Sequence, residues 1–112
     1  MLPRSCKNKG QRASKEVKEL LLKKFSGLEE DDITVVPSGV NGVDLLLSPK
    51  AQKIIPLDFE VKNQEKASIW QWLKQAKDNS SKGTPVVVFR RNGQKLHVCL
   101  EFEIFLDLVG GE

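Results

Sequence analysis

A chain of 112 residues, 29% charged and 39% hydrophobic, has the size of one domain with one core, and is too short to hold a catalytic domain beside a separate recognition domain. No apolar stretch approaches the ~20 residues that cross a bilayer, Met-Leu-Pro-Arg does not read as a signal peptide, and Cys6 and Cys99 show neither disulfide-framework nor zinc spacing; the expectation is an intracellular protein with no membrane partner. The net charge of +3 argues little by itself, but residues 1–28 hold eight basic residues against two acidic ones before the Glu29–Asp32 run cancels most of the excess.

Residues 1–12 lack apolar periodicity and read as a basic, mobile arm ahead of a single domain over residues 13–112. Lys9 and Arg12 on this arm are either phosphate contacts, since each neutralised phosphate releases a counterion, or members of a solvated tail. From Ser14 to Phe25 the positions Val17, Leu20, Leu21 and Phe25 recur at helical spacing, with Ser14 placed to cap the helix and Gly27 to stop it. Glu16 sits beside that stripe, in a first turn where a negative charge suits the helix dipole. The acidic run reads as a solvated loop. Ile33–Val36 predicts a short strand, and Pro37-Ser38-Gly39-Val40-Asn41-Gly42 a loop whose glycines mark a turn or a close approach to a ligand.

Val43–Leu47 and Ile54–Lys62 predict two further strands joined by a turn, SPKAQK. A second helix runs from about Ser68 to Asp78 with Ile69, Trp70, Leu73 and Ala76 inward; Trp70 and Trp72 either pack there or stack on bases. Val86–Arg90 and Lys95–Leu100 flank Asn92-Gly93, a strong hairpin signal. Arg90, Arg91 and Lys95 around it are phosphate contacts or a solvated turn. A last helix over residues 101–109 offers Phe102, Phe105, Leu106 and Val109 on one face. The order α-β-β-β-α-β-β-α predicts an α/β domain, a mixed sheet flanked by helices.

The chemistry is concentrated on the third strand. Side chains alternate across a strand, so Asp58, Glu60 and Lys62 share one face while Leu57, Phe59 and Val61 share the other and suit a core. A carboxylate and an ammonium two residues apart, with Asp44 as a second carboxylate nearby, can hold Mg²⁺ and steer an attacking water, as phosphodiester hydrolysis requires. The plainer alternatives are a strand-start turn residue at Asp44 and an exposed Glu60–Lys62 ion pair worth well under ~1 kcal/mol. His97 is the only histidine, which excludes histidine-dependent triads and multi-histidine metal sites; it reads as an exposed strand residue.

The succession Lys9-Gly10, Glu16 on a helix, Ser38-Gly39, Asp44, a Glu60-Val61-Lys62 strand, a helix and two strands resembles the PD-(D/E)XK nuclease superfamily, with its restriction-endonuclease-like fold. Within it the chain is most similar to the small Holliday junction resolvases of archaea and phages, although Val43 stands where the signature has proline. The resemblance implies Mg²⁺, with Mn²⁺ able to substitute, held by Asp44, Glu60 and the Val61 carbonyl, and Glu16 holding a second metal or a metal-bound water. It implies Lys62 as the residue that orients or helps deprotonate the attacking water, Ser38 and Gly39 over the scissile phosphate, and Gln71 and Gln75 near the site. The implied partner is branched DNA, a four-way junction. The implied assembly is a homodimer, because symmetric cutting of two opposed strands needs two active sites; its apolar interface would come from the last or the second helix. The alternatives are another nuclease on the same fold, whether nicking, repair or restriction-like, and a non-catalytic nucleic-acid-binding protein.

Overall fold

The computed structural model describes residues 4–37 and 39–110, with side chains from Lys9 onward. Ser38, expected near a phosphate, lies outside the described residues, as do residues 1–3 of the expected arm. The chain is a mixed α/β protein: α1 (Arg4–Lys24), a 3-10 turn (Glu30–Asp32), β1 (Ile33–Val35), β2 (Leu45–Leu47), α2 (Pro49–Ile54), β3 (Leu57–Asn63), α3 (Ile69–Asn79), β4 (Thr84–Arg90), β5 (His97–Cys99) and α4 (Phe102–Gly110). β1 and β2 pair antiparallel; β3 pairs parallel with β4, which pairs antiparallel with β5. Among the described residues no helix is long and apolar enough to cross a membrane.

β4 is the middle strand of its sheet, and this explains its unbroken apolar run. Val86 and Val88 join Phe59 and Val61 in a core with Ala13 and Val17 of α1, whereas Val87 packs with Trp72 and Ala76 of α3. One helix therefore covers each face of the sheet. Small residues, Ala13 and Ser14, are buried on α1. Ser14 is thus an interior residue of the helix and not its cap. Leu20, expected inward, is exposed.

α1 begins at Arg4, so the segment expected to be a mobile arm is helical from that residue, and Lys9 and Arg12 belong to the helix. Once the packed part around Ala13 and Val17 has nucleated a helix, each added residue gains a hydrogen bond at little cost, and Lys, Arg and Gln are good helix formers. Apolar periodicity does not report such an extension, because polar and basic residues predominate in it.

α2 replaces the expected turn and shortens the start of β3. Ser48 caps it, its Oγ accepting from Ala51 N–H (3.1 Å), and Pro49 follows in the first turn. The Ser48 hydroxyl in turn donates to Asp32 Oδ1 (2.6 Å), while Asp32 Oδ2 accepts the Glu29 N–H (2.7 Å). Part of the acidic run thus braces the β1–β2 unit. Gly39 and Gly42 have φ of 90° and 109°, the left-handed region that favours glycine. In the β4–β5 turn Gly93 has φ 77°, and Gln94 N–H donates to Arg91 C=O (3.1 Å).

Trp72 is buried at 3% exposure while Trp70 is 84% exposed, so the expected inward position of Trp70 is overturned: α3 is rotated to turn Trp72 to the sheet. α4 has no buried residue and leaves Phe102, Phe105, Leu106, Leu108 and Val109 exposed.

Candidate active site

Asp44 immediately precedes β2 and is pinned through its backbone on both sides. Its carbonyl accepts from Val36 N–H (3.0 Å) and its N–H donates to the Phe59 carbonyl (3.1 Å) on β3. Its carboxylate Oδ2 accepts the Val61 N–H at 2.7 Å. The Phe59 carbonyl and the Val61 N–H face β2, so the Val61 carbonyl lies on that same edge of the strand, towards Asp44.

Glu60 is 4% exposed and has both oxygens engaged. Oε2 lies 3.5 Å from Lys62 Nζ, and Oε1 accepts from Asn79 Nδ2 at 3.3 Å. Lys62 opens onto a polar groove of about 360 Å³ with Gln64, Ser68, Gln71, Trp72 and Gln75. The structure therefore brings Asp44, Glu60 and Lys62 together and sets Gln71 and Gln75 beside Lys62. The Glu60–Lys62 pair is enclosed, not the exposed surface pair that was the plainer alternative.

Burial pushes the Asp44 carboxyl above its ordinary range, against the Val61 N–H and the Lys62 charge. Burial and then the charge of Asp44 push Glu60 up in the same way, against Lys62 and the Asn79 amide. A half-buried and a buried carboxylate beside a single ammonium carry, when ionised, an excess of negative charge that a divalent cation would offset. The donor set fits that group: hard oxygens from one or two carboxylates and a carbonyl suit Mg²⁺, which keeps several waters, and do not suit a zinc site.

Glu16 is not part of this pair. Its carboxylate receives a hydrogen bond from the Arg90 guanidinium at the end of β4. Among the described residues no group of three or more His, Cys, Asp or Glu side chains is placed to hold a metal. α1 packs against β1 and β3, and its Glu16 carboxylate is taken up by Arg90 at the end of β4. Arg90 is consequently half-buried and committed to Glu16, whereas Arg91 and Lys95 are exposed at the turn. On α1, Lys9 is half-buried and Arg12 exposed; Gly39 is exposed in the loop after β1. His97 is exposed, its Nδ1 at 2.8 Å from the Lys95 carbonyl oxygen. A larger cleft of about 460 Å³ between α1 and β1 includes Lys15, Lys18, Glu30 and Thr34 and none of the site residues. Lys18 and Glu30 within it pair at 3.0 Å.

Two features of the site go beyond what strand alternation predicts. Asn79 reaches Glu60 across 19 residues. Asp58 is buried, and its Oδ2 accepts the Ser80 hydroxyl (2.8 Å) and the N–H groups of Ser81 (2.9 Å), Lys82 (3.0 Å) and Gly83 (3.0 Å). Its alternation with Glu60 put Asp58 on the right face, but nothing in the local pattern pairs it with the loop after α3. Comparison with protein-family models, with curated proteins and with solved structures finds no match to this chain.

Proposed function

We propose that this protein is a Mg²⁺-dependent DNA endonuclease of the PD-(D/E)XK type on a restriction-endonuclease-like fold, acting as a homodimer on four-way junctions. The observation that carries the proposal is the enclosed triplet: Asp44 hydrogen-bonded to the β3 backbone, Glu60 buried beside it, and Lys62 3.5 Å from Glu60. The succession α1, β1, β2, α2, β3, α3, β4, with β3 and β4 parallel, supports the fold assignment. Net positive charge and the exposed Arg12, Arg91 and Lys95 support a polyanionic partner. The uncovered apolar face of α4 supports a second subunit.

In this mechanism Asp44, Glu60 and the Val61 carbonyl would hold the cation. Bound Mg²⁺ supplies charge neutralisation at the phosphate, acidification of a water and stabilisation of the leaving oxygen. Lys62, held at the mouth of the groove, orients the attacking water and offsets negative charge as it develops on the phosphoryl oxygens. Gln71 and Gln75 offer neutral donors along the groove beside it. Glu16 acts as a tie between α1 and β4 and takes no part in the metal site.

The test is cleavage of a fixed four-way junction beside a linear duplex of matching arms, with Mg²⁺, by the wild type and Lys62→Ala. Paired symmetric cuts in the junction alone, absent from the variant, are the expected result. Equal cutting of both substrates would keep the nuclease and remove the junction preference. Absence of cutting by the wild type, with DNA still bound, would replace the nuclease by a binding protein.

A further inference from the structure

Glu60 is buried and has two oxygens to satisfy, and its partners differ in kind. Oε2 faces the ammonium of Lys62, whereas Oε1 takes a neutral amide N–H from Asn79. A second cation at Oε1 would have cancelled the charge that makes the site attractive to a metal. A neutral donor holds the carboxylate in place and leaves its charge available.

Asn79 is the last residue of α3, a position that ordinarily frays. Here the next four residues are wrapped around Asp58, whose single oxygen gathers the Ser80 hydroxyl and three consecutive backbone N–H groups. The wrap is pressed against the start of β3. A side chain on Gly83 would come within 2.9 Å of the backbone of Pro56 and of Leu57, and within 2.6 Å of Gln52 Nε2. Asp58 and Glu60 are alternate residues on the α3 side of β3, so the loop held on Asp58 delivers the preceding residue, Asn79, to Glu60.

We infer that Asn79 is a positioning residue for Glu60: its side-chain amide orients the Glu60 carboxylate for the metal site, and the loop tied to Asp58 anchors it there. This rests on the metal-site assignment of Asp44 and Glu60. It assigns Asn79 no contact with substrate.

The experiment is calorimetric titration of Mn²⁺ into the DNA-free wild type, Asn79→Ala, Asn79→Gln and Asp44→Asn, with the metal-free thermal midpoint of each. The expected result is about tenfold weaker Mn²⁺ binding for Asn79→Ala, a metal-free midpoint close to that of the wild type, and partial recovery in Asn79→Gln, which keeps a donor on a longer stem. Wild-type affinity in Asn79→Ala, with binding lost in Asp44→Asn, would overturn the role of Asn79 and leave the metal site standing. A lowered midpoint in Asn79→Ala with no recovery by glutamine would also overturn it, since the residue would then be structural. A wild type that binds no Mn²⁺ would overturn both this inference and the metal site.

Discussion

Replacing Asp58 should cost this protein a measurable share of its stability while removing none of the reacting groups. Asp58 is 5% exposed, and its Oδ2 accepts four donors at 2.8–3.0 Å. In Asp58→Ala the three N–H groups lose their acceptor, whereas the Ser80 hydroxyl keeps the Gly83 carbonyl at 2.9 Å. Ser81 and Lys82 are exposed, so water can satisfy their N–H groups, whereas Gly83 is half-buried. One poorly hydrated donor gives a loss of about 1–3 kcal/mol, against a total of about 5–15 kcal/mol for a typical domain. Asp58→Asn keeps an acceptor and loses the charge, so it should cost less than Asp58→Ala. The pH dependence separates charge from shape. Burial pushes the Asp58 carboxyl up, but the Gly83 N–H, the Ser80 hydroxyl and the Ser81 and Lys82 N–H groups together hold it below its ordinary value of 3.8. A carboxyl with a lower pKa folded than unfolded stabilises the protein above the unfolded value, and that contribution fades as the pH falls through the folded one. Urea unfolding at neutral pH and at steps below 3.8 should therefore show the gap between the wild type and Asp58→Asn closing on the acid side. An Asp58→Ala variant within ~0.5 kcal/mol of the wild type, the scatter of ordinary surface substitutions, would mean that Asp58 does not hold this loop.

On the proposed function, Asp44→Asn should abolish cleavage while raising metal-free stability by about 0.5–2 kcal/mol, because it removes a half-buried charge that folding disfavours; denaturant midpoints and the junction assay check the two together. Mg²⁺ should raise the thermal midpoint at neutral pH and lose this effect as the solution is acidified. Asp44 and Glu60 have pKa values above 3.8 and 4.5, so they take up protons first, and the metal-free protein gains stability over that same interval; midpoint scans with and without Mg²⁺ would show it. Glu16→Gln should leave Mn²⁺ affinity unchanged, since Glu16 partners Arg90, and a calorimetric loss comparable to that of Asp44→Asn would restore it to the metal site. Trp72→Ala should destabilise by about 3–5 kcal/mol and Trp70→Ala by less than ~0.5 kcal/mol in urea unfolding, as their burial differs so widely.

Part of the site was legible because strand geometry is local. Alternation alone separates Asp58, Glu60 and Lys62 from Phe59 and Val61, and the structure puts Phe59 and Val61 in the core beneath α1. The apolar run Val86–Val88 and the Asn92-Gly93 turn were readable for the same reason: residues within a few positions determine which face is buried and where the chain reverses. Helix phase was less secure. Two tryptophans two residues apart on α3 cannot both face the sheet, and the local pattern favoured Trp70 where packing selected Trp72.

Residue type and strand period suffice to pick out the groups able to do chemistry: carboxylate, carboxylate and ammonium at Asp44, Glu60 and Lys62. Which of them meet, and what holds them, depends on long-range packing. Asp44 reaches β3 through a hydrogen bond spanning 17 residues, Asn79 reaches Glu60 over 19, and Glu16 finds Arg90 across 74. Such contacts depend on how α1 crosses the sheet and where α3 ends. Both follow from the packing of Ala13, Val17 and Trp72 against opposite faces of β3 and β4 and from the closure of residues 80–83 on Asp58, and no periodicity along the chain carries that information.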